Sequence, residues 1–355
     1  MIRREFLLKS GMVGGALLTP LIGTATKPSA SNFCKSGFYN EQRQKVKMAM
    51  LSMQKQNWEH GIASQAFVEI GDTQMMILLA KEAAVRQSSD GRLAVMSVAN
   101  GIGDSATPIE ALLKSAKILN DKDLTDAVDR MIEYYFNDAP RTKEGYVHHS
   151  YHGPELWSDT MYMGPPFIAY AGYPEEGLFQ LLGIREKLYN KTHSLFHNRW
   201  NEESGGLRDD SFWGLGNAHA ITGMVKLMEN LPEKMSDEKE MLIEYIYDHL
   251  NGCLQHIRED YLFHNHLDDK STFVESSLSE RLAYIIFKGI NEKWLDAKYK
   301  DIALNMRNAV SKQVDQFGYV NGIPGPPSYS QPNRSTEGQA FYLMMEAQYD
   351  KIKNA

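Results

Sequence analysis

Apolar residues recur three and four positions apart along most of the chain, the spacing that lines one face of a helix. In TPIEALLKSAKIL, Ile109, Leu112, Leu113 and Ala116 form such a stripe. Thr107 stands three before Glu110 with Pro108 between, which predicts a capping box with proline at the first helical position. MLIEYIYDHLNGCLQHI places Met241, Leu242, Tyr245, Ile246, His249, Leu250, Cys253 and Leu254 on one broad face. Segments 278–290 and 339–348 repeat the pattern. Alternation at period two is scarce, so little sheet is predicted.

Between the helical stretches lie segments rich in aromatic, Gly, Pro and polar residues: 137–166, 197–217, 264–275 and 318–336. A rhythm of helix, aromatic-bearing loop, helix predicts an all-α chain. It fits a closed toroid of helical hairpins with functional loops at one mouth better than a doubly wound sheet. No stretch has linker composition, so residues 31–355 are expected to form one domain.

Composition narrows the class. Of 355 residues, 43% are hydrophobic and 23% charged, ordinary for a chain that buries a large core. The formal net charge is −7 and no Lys/Arg stripe occurs, which argues against nucleic acid as a partner. Residues 1–30 stand apart. MIRREFLLKS followed by GMVGGALLTPLIG resembles a twin-arginine export signal. Its apolar run is short, Gly-rich and broken by Pro20, so no lasting membrane insertion is expected after processing. Gly23-Thr24-Ala25 and Pro28-Ser29-Ala30 both suit cleavage, and an exported, periplasmic protein is the expectation. The leader carries a net +3, so the processed chain would carry −10. Two cysteines, Cys34 and Cys253, cannot make a disulfide framework, and their pairing is left open.

The chemistry concentrates in HHSYHGPELWSDTMYMGPPF, residues 148–167. Asp159 stands among Trp157, Met161, Tyr162 and Met163, and a carboxylate among apolar side chains is costly to charge. It could be a catalytic acid, a helix cap, or an outer partner to a metal held by His148, His149 and His152. Ser150, Gly153 and Pro154 spoil a helical histidine face, so no metal is expected. Trp58, Trp157, Trp200 and Trp213 lie in polar-flanked segments, as flat platforms for sugar rings would. Carboxyls beside such platforms suit glycoside chemistry.

PRTKEGYVHHSYHGPELWSDTMYMGPPF resembles the signature region of the unsaturated uronyl hydrolases, glycoside hydrolase families 88 and 105, where PRT…G…H precedes W-x-D-x-x-Y-M-x-x-P-F. LFHNRW is similar to the H-x-W segment of those enzymes, FWGLGNAHAITGMV to W-x-R-G-N-x-W, and VESSLSERLAYIIFKGI to E-x-S-x-S heading a helix. The resemblance spans about residues 40–348. It implies an (α/α)6 barrel of six hairpins, no cofactor, and a small oligosaccharide ending in a 4,5-unsaturated uronate as substrate. The reaction it implies is hydration of the C4=C5 double bond rather than attack at the anomeric carbon. Asp159 then takes the acid/base role, and Asp104 of NGIGDSATP the second carboxylate. His197 falls where the resemblance expects a site-lining histidine. Trp58 and His60 of NWEHG, Trp157, Tyr162, Met163, Trp213, Asn217, His219 and Arg334 are the further expected sugar contacts.

Leu215 stands where the signature has arginine, and His219 where it has the second tryptophan. Arg199, Arg208 or Arg334 could supply the missing cation. The competing readings are a six-hairpin glycosidase on saturated uronides, a sugar epimerase on the same fold, and a binder without catalysis.

Overall fold

A computed structural model describes residues 37–95, 101–151 and 153–353. The expected leader, Cys34 and His152 lie outside the described residues. Thirteen α-helices follow one another: α1 (Glu41–Met53), α2 (Asn57–Ile70), α3 (Thr73–Val85), α4 (Ile109–Leu119), α5 (Lys122–Asn137), α6 (Thr160–Met163), α7 (Pro165–Tyr170), α8 (Pro174–Leu188), α9 (Gly214–Asn230), α10 (Ser236–Leu254), α11 (Ser277–Glu292), α12 (Lys300–Ser311) and α13 (Thr336–Lys353). Among the described residues no helix is long and apolar enough to cross a membrane.

Packing sorts the helices into two rings. α13 packs on α2, α2 on α4, α4 on α7, α7 on α9, α9 on α11, and α11 back on α13, which closes an inner ring. α1, α3, α5, α8, α10 and α12 each pack outside their inner partners. Six hairpins in a closed double ring make the (α/α)6 barrel.

Sequence and ring position agree. The outer α5 has a clean apolar stripe of Leu124, Ala127, Val128, Met131, Ile132 and Tyr135. Inner helices are buried all round: α11 from Ser277 to Gly289, α13 from Thr336 to Gln348. Where α6 meets α9, glycine is required. A Cβ on Gly223 of α9 would sit 2.3 Å from the Met161 carbonyl oxygen.

Strands are few and short, confined to connections between helices: β1 (Glu155–Trp157), β2 (Tyr189–Asn190), β3 (Leu195–Phe196), β4 (Arg199–Asn201), β5 (Gly206–Asp209), β6 (Phe263–His266), β7 (Asp269–Glu275), β8 (Ile323–Gly325) and β9 (Ser328–Asn333). β1, β4 and β5 form one antiparallel sheet, and the rest pair as β2–β3, β6–β7 and β8–β9. The capping box expected at Thr107 does not form. A 3-10 turn, Gly103–Ala106, runs straight into α4, and the Thr107 hydroxyl donates instead to the Asp104 carbonyl (2.7 Å). The E-x-S-x-S segment is itself a cap: the Glu275 carboxylate accepts the Ser277 and Leu278 amides at the head of α11.

All the inner helices start at the same end of the barrel, and below that end charges from neighbouring inner helices interlock. Lys288 of α11 reaches Glu69 of α2 (3.2 Å) and Glu229 of α9 (2.7 Å), while Lys351 of α13 approaches Glu69 (3.4 Å). Lys226 of α9 meets Glu110 of α4 at 2.7 Å. Burial opposes the Glu69 charge, but Lys288, Lys226 and Lys351 outweigh it and draw its pKa down to about 2. Lys288→Met keeps the stem and takes the shared cation from two largely buried carboxylates. The variant should lose about 3 kcal/mol of stability in urea denaturation at neutral pH. A loss below ~1 kcal/mol would mean that apolar packing alone closes the ring.

Candidate active site

At the N-terminal end of the inner ring lies a cavity of about 410 Å³, lined by side chains from the helix starts and from the hairpins between them. Trp58 comes from the first turn of α2. Asp104 comes from the 3-10 turn before α4, His149 and Trp157 from the segment through β1, and Asp159 and Met163 from α6 and its approach. Trp213, Leu215 and His219 come from the start of α9, and Glu337 from the start of α13.

Local bonds bring the two aspartates to one wall. The Ile102 amide donates to the His149 carbonyl (3.0 Å), and Gly101 bridges Ser150, which ties the Asp104 turn to the Asp159 segment. Gly103 and Gly164 face each other where that turn abuts α6. His149 Nδ1 lies 2.9 Å from Thr160 Oγ1 and 3.4 Å from Asp159 Oδ1, and its ring stacks on Trp157 at 4.1 Å. Asp159 occupies the position before α6 yet makes no capping hydrogen bond, so its carboxylate is left for the cavity.

The apolar neighbours of Asp159 do not all surround it. Asp159 and Met163 are four apart on α6 and share the cavity face. Met161 and Tyr162 point into the core, where Tyr162 packs edge-on against Phe167 and Phe341. The deeper burial falls on Asp104, which is 5% exposed against 15% for the Asp159 side chain. Burial first, then the charges of Asp159 and Glu337, push the Asp104 carboxyl well above its ordinary range. Burial also lowers the His149 pKa, which favours the neutral ring. Glu337 behaves oppositely. Burial opposes its charge, but His219 (3.2 Å) and the Arg281 guanidinium (3.1 Å) hold its carboxyl below the usual value.

Asp104, Asp159, Trp58, Trp157, Met163, Trp213 and His219 therefore line one cavity. Other expected contacts do not reach the cavity. His60 is a core residue between Gln54 (3.0 Å) and the Leu79 carbonyl (2.9 Å). Asn217 is buried, accepting the Phe196 amide (2.8 Å) and donating to the Phe196 and Trp213 carbonyls, and so fastens α9 to β3. Tyr162 is core. Arg334 is half exposed above Tyr319 and near Asp315 (3.8 Å). His197 turns away to stack on Phe212 (4.7 Å). H-x-W spacing counted back from Trp200 reaches Asn198 rather than His197, and it is Asn198 that lines the cavity. Trp200 is buried away from it.

Sequence reading missed Asn198, Asp209, Asn265, His266, Tyr329, Ser330 and Glu337 as lining residues. Most come from β-hairpins, where strand pairing decides which side chains face inward. Trp213 Nε1 donates to Asn265 Oδ1 (3.2 Å), and its ring meets Tyr329 edge-on at 5.9 Å. Among the described residues no group of three or more His, Cys, Asp or Glu is arranged to hold a metal.

A carboxyl whose folded pKa is raised holds its proton more tightly in the native state. Its stabilising contribution is complete below the unfolded value and is lost as pH rises toward the folded one. Asp104→Asn, which mimics the protonated acid, should therefore raise Tm above wild type at pH 8. The difference should shrink as pH falls toward 4. Equal Tm at both pH values would mean that Asp104 does not retain its proton.

The geometry can be set beside known proteins. A family model described as Glycosyl Hydrolase Family 88 matches residues 32–352. The unsaturated rhamnogalacturonyl hydrolase YesR of Bacillus subtilis is 26% identical over 285 residues, covering 75% of this chain and 78% of its own. A Klebsiella pneumoniae structure described as a possible member of the GH105 family superposes with TM-score 0.78 at 15% identity, over 96% of this chain and 100% of its own. The unsaturated glucuronyl hydrolase of Bacillus sp. GL1 superposes with TM-score 0.62 at 15% identity, over 83% and 85% of the two chains. The structural likenesses speak to the barrel, and the family match to kinship: this chain belongs to glycosyl hydrolase family 88.

Proposed function

We propose that this glycoside hydrolase removes a terminal 4,5-unsaturated uronic acid from short oligosaccharides by hydrating the C4=C5 double bond. One observation carries the reading: Asp104 and Asp159 converge on a single cavity walled by Trp58, Trp157 and Trp213. Similarity to YesR supports an unsaturated uronide as the substrate class.

In this reading the sugar ring lies against the tryptophan faces, with C4 toward Asp159. Asp159 gives its proton to C4, and positive charge develops at C5, shared with the ring oxygen. Water adds to C5 and returns a proton to the Asp159 carboxylate. The C5 hemiketal opens to a ketone, and the exposed C1 hemiacetal expels the aglycone as an alcohol. His149, neutral and within 3.4 Å of Asp159, orients the carboxyl together with Thr160. Asp104, proton-bearing and deeply buried, donates a hydrogen bond to a ring hydroxyl. The negative charge of Glu337 raises the cost of ionising Asp104 and so keeps that donor in place.

The proposal is tested with lyase-generated disaccharides by following loss of the enol-ether ultraviolet absorbance. Consumption of at least one is expected. Cleavage of a saturated uronide with no unsaturated one consumed would sink the hydration chemistry. Asp159→Asn should lower kcat by at least ~100-fold with little change in KM, as loss of a general acid does. Near wild-type turnover in that variant would move the acid to another group.

A further inference from the structure

Four carboxyl groups line the cavity, those of Asp104, Asp159, Asp209 and Glu337, and a uronate would bring a fifth. An anion enters such a site only against a fixed positive charge. Leu215 lines the cavity where the signature has its arginine, so that position supplies none. His219 is engaged with Glu337, and Arg281 is fully buried behind it, bonded to the same carboxylate. Among the described lining residues Arg199 is the only arginine or lysine.

Strand pairing presents Arg199. β4 runs antiparallel to β1 with Arg199 directly opposite Trp157, and paired residues share one face of the sheet, so both side chains line the cavity. The guanidinium carbon lies 4.4 Å from the Trp157 ring centre, and Trp157 stacks on His149 beside Asp159, so cation and acid flank one aromatic stack. The Asp209 carboxylate is taken up more closely by Asn198 (2.7 Å) and the Ser211 amide (3.1 Å), and meets Arg199 only at 3.5 Å. Arg199 Nε is enclosed, but the side chain keeps 35% of its surface exposed and lines the cavity. Stacking thus fixes the face of the guanidinium and leaves its donor edge for a ligand.

We propose that Arg199 is the specificity-determining cation of this site. Its edge holds the carboxylate of the terminal uronate, in place of the arginine that Leu215 displaces. The assignment rests on the substrate class proposed above. It explains how a site rich in carboxyls accepts an acidic sugar, and it predicts selectivity for the free acid over uncharged counterparts.

The test compares wild type, Arg199→Met and Arg199→Lys on an unsaturated uronyl disaccharide and on its methyl ester. Any change in intrinsic reactivity on esterification is common to all three proteins and cancels in the ratio. Arg199→Met should lower kcat/KM on the acid by about 100-fold, the size of a lost charged hydrogen-bond pair, and on the ester by less than ~3-fold. Arg199→Lys should fall between. Equal losses on acid and ester would overturn the assignment, because they would show a structural role through Trp157. A loss seen only with substrates sulfated on the aglycone would also overturn it, since the cation would then read the neighbouring sugar. Calorimetric binding of a saturated glucuronide and its methyl ester runs in parallel. Should wild type turn over no unsaturated uronide, the reaction proposed above fails. Arg199 is then judged by whether Arg199→Met abolishes the preference for acid over ester in binding.

Discussion

The barrel depends on six inner elements lying side by side and pointing the same way. Parallel helix dipoles repel laterally, and each inner helix brings unpaired amides to one end of the ring and unpaired carbonyls to the other. The sequence answers with charge at both ends. Lysines 226, 288 and 351 lie toward the carbonyl end, with Glu69 and Glu229 among their partners. Carboxyls gather at the amide end, with Glu275 capping α11 and Glu337 in the first turn of α13. The candidate site is therefore placed by the same requirement that closes the ring. The end of the barrel where helix starts converge is where acidic side chains are least costly and where an acidic ligand is best received.

Much of this was legible in the sequence. Helical spacing with aromatic connections points to the hairpin toroid, and the motif stretches contain Asp104, Asp159 and the three tryptophans that line the cavity. The errors share one cause, which is direction. On α9, Leu215 and His219 are four apart and share the cavity face, while Asn217 lies two from each and faces away. The same half-turn separates Trp58 from His60 on α2. Asp159 and Met163 repeat the four-residue spacing, and Tyr162 falls off it. Helical period would have sorted these pairs. At β4 it could not: the choice between His197 and Asn198 hung on one residue of spacing, and the pairing that sets Arg199 beside Trp157 joins segments far apart in the chain.

The expected device at Asp159 also changed hands. Apolar neighbours in sequence were read as a collar that would keep its proton on, but half of them belong to the core behind it. The group buried deeply enough to resist ionisation is Asp104, held in its turn by Thr107 and facing the charges of Asp159 and Glu337. Burial and the facing charges together set Asp104 apart as the carboxyl of that wall that resists ionisation.

Below the cavity Tyr162, Phe341 and Tyr284 pack edge-on across the middle of the barrel, and the ion pairs of Lys288 lie beyond them. Such a vessel has a mouth and a floor but no through-passage. A chain that enters it must do so end-first, and whatever enters leaves by the same mouth. The lysines that hold the helices together at one end thereby close, for anything arriving at the other, the way through.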